Sequence, residues 1–311
     1  MVTGRMVTEE YLGQESALPR KSQYIEWLSR SRAQALYASK EEWWCLYQGA
    51  LLPAAIMPHP SAITLEEAQR LLAESGAWFL RYFTRTFTEP TEFWWIACKE
   101  YDAVTVQSRA RNYIRRAYKT CAVRRLNRGE LEEQIYLCYR AAFSRYSYAK
   151  PASANTYLDE IKRQADGPFD RWGVFVGEHL AGFANCGVED SAVGLLSLKL
   201  DPKYLNHYPA YALMDTILTR YVGERRLLMT NGFRAISHDT DMDGFLRKFG
   251  FVRHYCDLKI VYGSRISTLV RAAYPFRKLL ERLSGDSYMH KARALLFQET
   301  MRRSFCCSED K

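Results

Sequence analysis

The sequence predicts a mixed α/β protein, and the predicted order of its elements is the main reason. Residues 121–262 are predicted to run strand, helix, helix, three antiparallel strands, helix, strand, helix, strand. A three-stranded meander followed by a strand–helix–strand unit is typical of a mixed sheet with helices on both faces. The residues before 121 show a shorter version of the same order. We therefore expect two tandem units of one fold, the first degenerate, followed by C-terminal helices.

The first half supplies the shorter series. Residues 24–39 have the apolar spacing of a helix, and residues 43–55 indicate two strands around the turn Gln48-Gly49. Thr64 and Glu67 have the spacing of a capping box, which predicts a helix start, and Gly76 suits the end of that helix. The other elements predicted here are strands over 78–86 and 93–99 and a basic helix over 108–119.

The second half is more regular. Its predicted helices cover 129–146, 154–165, 209–221 and 241–249. Its predicted strands cover 121–126, 172–176, 179–188, 192–200, 234–238 and 251–262, the last as one long closing strand. Residues 265–303 are expected to form two helices broken near Gly285. The predicted domains are a loose N-terminal segment (1–22), a first partial unit (23–120), a complete unit (121–263) and a basic helical tail (264–311).

Two regions account for the net charge of +9. Residues 102–128 hold eight basic residues and one acidic residue, and residues 264–311 hold ten basic and five acidic residues. Such regions attract phosphates, RNA or a membrane surface, although a solvated helix face is the alternative for each. Arg109, Arg115, Arg116 and Lys119 fall near one helical stripe.

Composition and motifs exclude several classes of protein. The chain is 48% hydrophobic and 25% charged, as in ordinary globular proteins. Its eight cysteines form no CxxC pair, so we expect buried reduced thiols and no metal site. No apolar run approaches the roughly 20 residues of a membrane span, and residues 1–10 lack the apolar core of a signal peptide. A cytoplasmic protein without a transmembrane segment is therefore expected.

Four stretches carry a resemblance to a known family. They are residues 172–184 (WGVFVGEHLAGFA), 195–202 (LLSLKLDP), 207–212 (HYPAYA) and 243–251 (DGFLRKFGF). Together they resemble a GNAT-type acyl-CoA N-acyltransferase domain, in which a short helix ends in Gly-Phe before the final strand. The partial unit, the basic helix and the complete unit together resemble the FemAB-like branch, which carries two such units in tandem.

This resemblance implies where an acyl-CoA co-substrate would bind. In the family the pyrophosphate sits at the start of the helix after the fourth strand, where free N–H groups and the helix dipole favour negative charge. The family sequence there is Arg/Gln-x-x-Gly-x-Gly/Ala, and this chain has His207-x-x-Ala210-x-Ala212 with Pro209 inside it. An ordinary capped helix is the alternative. The cofactor-binding residues implied are Leu198, Lys199, Leu200, His207, Tyr208, Ala210, Tyr211 and Ala212, with no metal ion.

The resemblance also implies catalytic candidates. Many relatives use a tyrosine in the short helix as general acid, but the matching position here is Leu246. Tyr255, Tyr208 or Tyr211 could replace it. A general base could come from the ends of strands, where surface or capping roles are the alternative. The catalytic candidates are Glu189, Asp201, Tyr255 and His238, with Asp190 beside the first of them.

Three functions remain open at this stage. The first is an N-acyltransferase that moves an acyl group from acyl-CoA, or from an aminoacyl-tRNA as in the FemAB-like branch, to a small-molecule or peptide amine. The second is a non-catalytic protein of the same fold that binds RNA or another anionic partner through its basic segments. The third is membrane association through an interfacial helix, against packing of the same apolar residues onto the domain. Those residues are Val270, Ala273, Tyr274, Leu279, Leu280 and Leu283.

Overall fold

A computed structural model describes residues 21–31, 33–102, 104–145, 150–164, 166–236, 240–282 and 287–306. Its α-helices are α1 (Gln23–Ser31), α2 (Leu65–Ser75), α3 (Ser108–Ala117), α4 (Glu132–Ala142), α5 (Ala154–Gln164), α6 (Pro209–Leu218), α7 (Met242–Arg247), α8 (Ser264–Ala273), α9 (Arg277–Arg282) and α10 (Ser287–Cys306). Its strands are β1 (Leu36–Ala38), β2 (Trp43–Tyr47), β3 (Ala50–Pro53), β4 (Phe79–Tyr82), β5 (Thr86–Phe87), β6 (Trp94–Cys98), β7 (Cys121–Leu126), β8 (Phe169–Val176), β9 (His179–Val188), β10 (Ala192–Leu200), β11 (Leu228–Phe233), β12 (Val252–Cys256) and β13 (Lys259–Tyr262).

The chain folds into two compact units that are discontinuous in sequence. Unit 1 comprises Met1–Trp95, Phe233–Thr240 and His254–Lys311, and unit 2 comprises Ile96–Gly232 and Asp241–Arg253. The predicted domains are continuous ranges that end at 120 and 263, so they and the compact units divide the chain differently. The domain boundaries themselves stay a prediction.

Unit 1 contains a five-stranded mixed sheet in the order β1-β2-β3-β4-β13. β1, β2 and β3 form an antiparallel meander, β4 runs parallel to β3, and β13 closes the sheet antiparallel to β4. The crossover between the two parallel strands is α2. Leu71 of α2 lies in one core with Leu80 of β4 and Trp44 of β2.

Most strands of the longer mixed sheet belong to unit 2. β7, β8, β9 and β10 are antiparallel neighbours, and β11 runs parallel to β10 with β6 beside it. α3, α6 and α7 contribute to the core on one face, around Ile114, Leu213 and Phe249. α4 and α5 contribute to the core on the other face, around Ile135 and Ile161. The expected sheet with helices on both faces is therefore confirmed.

The two units repeat one arrangement. In unit 1 a hairpin (β2, β3) leads through α2 to the parallel strand β4, and in unit 2 a hairpin (β9, β10) leads through α6 to the parallel strand β11. The described strands of the unit 1 sheet are three to five residues long, against six to ten residues for β7–β10. The predicted tandem of a partial and a complete unit has this form.

Four local predictions were wrong. The helix expected to reach Ser39 ends at Ser31 and is followed by β1, and the strand expected over 78–86 is two short strands. The strand expected over 234–238 lies earlier, at β11. The single closing strand is two strands, because Asp257 between them is fully buried and accepts hydrogen bonds from the N–H (2.7 Å) and hydroxyl (2.7 Å) groups of Thr84.

The described residues include neither a membrane-spanning helix nor a cluster of metal-binding side chains. None of the described helices has both the length and the apolar character needed to cross a membrane. The described part of the chain also contains no group of three or more His, Cys, Asp or Glu side chains that could hold a metal ion. Six cysteines are free and buried, namely Cys45, Cys98, Cys121, Cys138, Cys186 and Cys256.

Candidate functional site

β10 leaves its neighbour β11 part-way along its length. The parallel pairing of the two strands joins Ala192–Gly194 to Leu228–Thr230, and β10 then continues to Leu200 beside β9. The pairing with β9 shifts register between Leu195 and Ser197, which makes a β-bulge, and the side chain of Leu196 there is 47% exposed. The edge of β10 beyond the bulge is therefore available to pair with an extended ligand.

The helix α6 begins just beyond this open strand edge, after a short 3₁₀ segment. Its N-cap residue, Tyr208, has a left-handed backbone (φ 58°) and makes no side-chain capping hydrogen bond. The N–H of Tyr208 donates to the carbonyl of Leu205 (3.1 Å), that of Tyr211 donates to the carbonyl of Tyr208 (2.9 Å), and Pro209 has no N–H. The start of α6 thus has the positive end of a helix dipole without a carboxylate in front of it.

The basic helix α3 packs against the start of α6 through aromatic rings. The ring of Tyr113 stacks on that of Tyr208 with centroids 4.7 Å apart, and it lies 5.0 Å from the ring of Tyr211. The guanidinium of Arg116 lies 4.6 Å from the centroid of the Tyr208 ring. Arg109 donates from Nε to the hydroxyl of Tyr113 at 3.0 Å. The aromatic rings therefore hold two arginines beside the helix start.

The charge around the helix start is mostly positive, although the carboxylate of Asp241 is close enough to act on Tyr211. The segment of α3 contains no acidic residue, and its exposed cations are Arg109, Arg115 and Arg116, with Lys119 directly after it. His207 lies on the same side, with Nδ1 3.1 Å from the hydroxyl of Thr120. An anion at the start of α6 would gain from both the helix dipole and these side chains.

A half-buried carboxylate lies further along α6. Asp215 accepts hydrogen bonds from the hydroxyls of Tyr101 (2.5 Å) and Tyr118 (2.7 Å), and Tyr118 is also 2.9 Å from the hydroxyl of Thr216. Burial raises the pKa of both phenols, and the hydrogen bond to Asp215 raises each pKa further. Both tyrosines are therefore neutral donors. Tyr101 lines a cavity of about 480 Å³ together with Arg111, Arg115 and Asp215.

Two of the predicted catalytic residues lie far apart within unit 2. Glu189 follows β9 and Asp201 follows β10, so they lie at opposite ends of a nine-residue strand, about 26 Å apart at 3.3 Å per residue. Asp201 caps the 3₁₀ segment by accepting the N–H of Lys203 at 2.9 Å. Tyr255 belongs to unit 1, where its ring lies 6.2 Å from that of Trp94. His238 lies outside the described residues. These four roles stay predictions.

The residues predicted to bind the cofactor do lie along one path. Leu198, Lys199 and Leu200 follow the bulge of β10, and His207, Tyr208, Ala210 and Tyr211 surround the start of α6. The side chain of Ala212 is fully buried and packs in the core, and its role beside a phosphate stays a prediction. Leu246, at the position where many relatives have a tyrosine, is also fully buried.

Sequence reasoning missed two features of this site. The contact of Tyr113 with Tyr208 joins residues far apart in the chain, and no local pattern predicts it. Asn231 follows the last β11 residue that pairs with β10, so it occupies the mouth of the gap between the two strands. In the sequence, the polar Asn231-Gly232 pair near the end of an apolar strand is the feature that could have drawn attention to Asn231.

The comparisons with known proteins concern the fold. No protein-family profile and no curated protein matches the chain. The C-terminal domain of a "Putative Lysylphosphatidylglycerol Synthetase" from Agrobacterium fabrum is similar with a TM-score of 0.53 at 9% identity, over 83% of this chain and 92% of that one. L-PGS from Bacillus licheniformis is similar with a TM-score of 0.51 at 10% identity, over 81% and 96%. FemX has a TM-score of 0.48 at 11% identity, and the match covers 70% of this chain and 78% of FemX.

These likenesses confirm the fold class that the sequence predicts. The chain has a mixed α/β fold with two mixed sheets, like that of the Agrobacterium and Bacillus structures. At identities near 10% the likeness shows the fold alone, and function has to be argued from the site.

Proposed function

We propose that this chain transfers an acyl group from a phosphate-bearing donor to an amine acceptor. The observation that carries the proposal is the continuity of the open β10 edge with the uncapped, arginine-flanked start of α6. An extended donor arm would pair along Ser197–Leu200, which puts its acyl carbonyl near the bulge. Its phosphate would then lie at Tyr208 and Ala210, beside Arg116.

The proposed reaction needs few groups from the protein. The amine nitrogen attacks the acyl carbonyl carbon, the bond from that carbon to the donor's sulfur or oxygen breaks, and the proton lost by the amine ends on the leaving group. Because Leu246 replaces the usual tyrosine, we assign the acceleration to positioning and to polarisation of the carbonyl. A backbone N–H at the bulge and the amide of Asn231 are the donors that we propose for this polarisation.

The first donor to test is acyl-CoA, and the test is thermal melting of the full chain. CoA, acetyl-CoA and longer acyl-CoAs are each added at increasing concentration. A ligand at 100 times its dissociation constant should add about 2.7 kcal/mol of apparent stability. The shift should disappear in Ala210→Glu, which puts a negative charge at the start of α6. The matched control is Leu65→Glu, which puts the same charge at the exposed start of α2 and should keep the shift.

A second donor, aminoacyl-tRNA, is favoured by the exposed cations of α3. The name lysylphosphatidylglycerol synthetase also denotes aminoacyl transfer for the similar Agrobacterium protein. If no CoA species shifts the melting temperature, tRNA binding is measured across a salt series. A steep loss of affinity with salt that Arg116→Gln makes shallower supports this donor.

Three outcomes separate the possibilities. Saturable binding with acyl transfer to an amine supports the proposed enzyme. RNA binding without transfer from any charged tRNA supports the alternative, a non-catalytic anion-binding protein of this fold. Equal loss of binding in Ala210→Glu and Leu65→Glu contradicts the placement of the donor at α6.

A further inference from the structure

The segment that follows β13 exposes large apolar side chains instead of burying them. Leu269 in α8 is 63% exposed, Phe276 in the 3₁₀ turn after it is 61% exposed, and Leu279 in α9 is 60% exposed. With the exposed Ala272 they recur every three or four residues, which is the spacing of a single helix face. We call these four residues the apolar stripe.

The opposite side of the same segment is anchored to unit 1. Val270 is buried (3% exposed), and the ring of Tyr274 lies between two guanidinium groups, 4.3 Å from that of Arg277 and 3.8 Å from that of Arg303. Arg303 is held in turn by Glu299, with Nε 2.7 Å from Oε1. The apolar stripe is therefore presented by a fixed segment whose packing face is already used.

The charges along the segment that carries the stripe are mostly positive. Residues 264–282 contain five basic residues and one acidic residue, Glu281. Of these, Arg265, Arg271 and Lys278 are exposed. Exposed apolar side chains among mostly basic residues complement a surface that is apolar inside and negative outside, as an anionic bilayer is.

We propose that residues 264–279 are a membrane-surface element that places the apolar stripe into the interface of an anionic lipid bilayer. The described helices include none able to cross a membrane, so this element would lie in the plane of the surface. Both the cations and the apolar side chains contribute to the free energy of binding. Each cation near an anionic surface contributes about 1 kcal/mol, and the apolar side chains gain from leaving water. The proposal does not depend on the donor or on the reaction proposed above.

The sequence alone indicates a different apolar face from the one that the structure exposes. Of the residues that made an interfacial helix an alternative, Val270 is buried, Tyr274 is held between arginines, and Leu279 is exposed. The side chains of Leu280 and Leu283 lie outside the described residues. Leu269 and Phe276 are the additional members that only the structure identifies.

The experiment is flotation of the full chain with lipid vesicles. One set of vesicles contains phosphatidylcholine alone, and the other contains phosphatidylcholine with phosphatidylglycerol. Binding to the anionic vesicles is expected and should weaken with salt. Changing Leu269, Phe276 and Leu279 to Ser should lower the affinity at least about ten-fold. Changing Arg265, Arg271 and Lys278 to Gln should lower it about five-fold per residue, which corresponds to about 1 kcal/mol each.

The matched control has equally exposed apolar residues elsewhere. Leu65 and Val252 are 62% and 60% exposed, and changing both to Ser should leave vesicle binding unchanged. Thermal melting of every variant checks that it is folded, which is expected because all the changed side chains are exposed. A fall in binding only in variants that have also lost their melting transition counts against the proposal.

Several results would overturn the proposal. The first is no binding to anionic vesicles by the wild-type chain, and the second is equal binding by the triple Ser variant. Equal binding to neutral and anionic vesicles would remove the role of the cations. If light scattering instead shows a wild-type dimer that the triple Ser variant abolishes, the apolar stripe is a contact between two copies of the chain and not a membrane-surface element.

Discussion

The crossover helices α2 and α6 hold the same place in their own units but begin in opposite ways. α2 starts with a complete capping box, in which Thr64 accepts the N–H of Glu67 at 3.2 Å and Glu67 accepts the N–H of Thr64 at 3.3 Å. The N–H of Lys40 also donates to Glu67, at 3.1 Å. α6 starts with an uncapped Tyr208 and a proline, beside the guanidinium of Arg116.

The difference teaches what each helix start is suited for. A capping box satisfies the free N–H groups and places a carboxylate in front of the helix dipole, which stabilises α2 and repels phosphate. The start of α6 forgoes that stabilisation and keeps its positive end accessible. Packing against a sheet is therefore common to the two helices, whereas the anion site that we propose lies at the start of α6.

The largest expected effect tests whether the two helices are equal in packing. Leu71 in α2 and Leu213 in α6 are both fully buried. Leu71→Ala and Leu213→Ala should each lower the free energy of unfolding by about 2–5 kcal/mol, through lost transfer free energy and the cavity left behind. Urea denaturation measures this. A negligible cost for either variant contradicts equal packing, and Leu65→Ala, at an exposed site, serves as the control.

The next effect tests whether the two helix starts differ in anion binding. Tyr211→Glu puts a carboxylate three residues after the N-cap of α6, as Glu67 is in α2. Relative to Tyr211→Gln, which removes the same ring without the charge, it should weaken donor binding at least about ten-fold, or 1.4 kcal/mol. Titration with the donor identified by melting measures this. Glu67→Gln should leave donor affinity unchanged, and a gain of affinity there would erase the distinction between the two starts.

The start of α2 could be predicted from the sequence because its signals are local. Thr64, Glu67 and Gly76 lie within one helix length, and the structure confirms both the capping box and the left-handed Gly76 (φ 66°) at the helix end. The hairpin around Gln48-Gly49 is confirmed for the same reason. Each signal needs only neighbours in sequence to satisfy it.

The start of α6 could be predicted only in part. The small residues and the preceding strand locate it, but the rings and guanidinium groups beside it come from α3. The stacking of Tyr113 on Tyr208 depends on packing between distant segments. The split of the closing strand at Asp257 has the same origin, because its hydrogen-bond donors come from Thr84 and Arg85. The periodicity of a sequence indicates which residues are apolar, but it does not indicate which distant residues they contact.

The smallest expected effect is a dependence of stability on pH, which should be present at the start of α2 and absent at the start of α6. Burial raises the pKa of Glu67, but hydrogen bonds from Lys40 and Thr64 outweigh it, so the pKa lies below the ordinary value of about 4.3. The folded state then binds fewer protons than the unfolded state in this range. The stability from Glu67 is therefore complete above the ordinary pKa and is lost as the pH falls through the folded pKa.

The expected loss is on the order of 0.5 kcal/mol, because Glu67 is near the surface. Urea denaturation between pH 5 and pH 3 should show a steeper fall for the wild-type chain than for Glu67→Gln. Hydrogen exchange localises it, since the N–H of Ala68, which donates to the carbonyl of Thr64 at 3.0 Å, should lose protection in acid. The corresponding amide of α6, that of Ala212, has no carboxylate cap beside it and should keep its protection. Equal acid sensitivity at both amides would mean that the capping carboxylate does not distinguish the two helices.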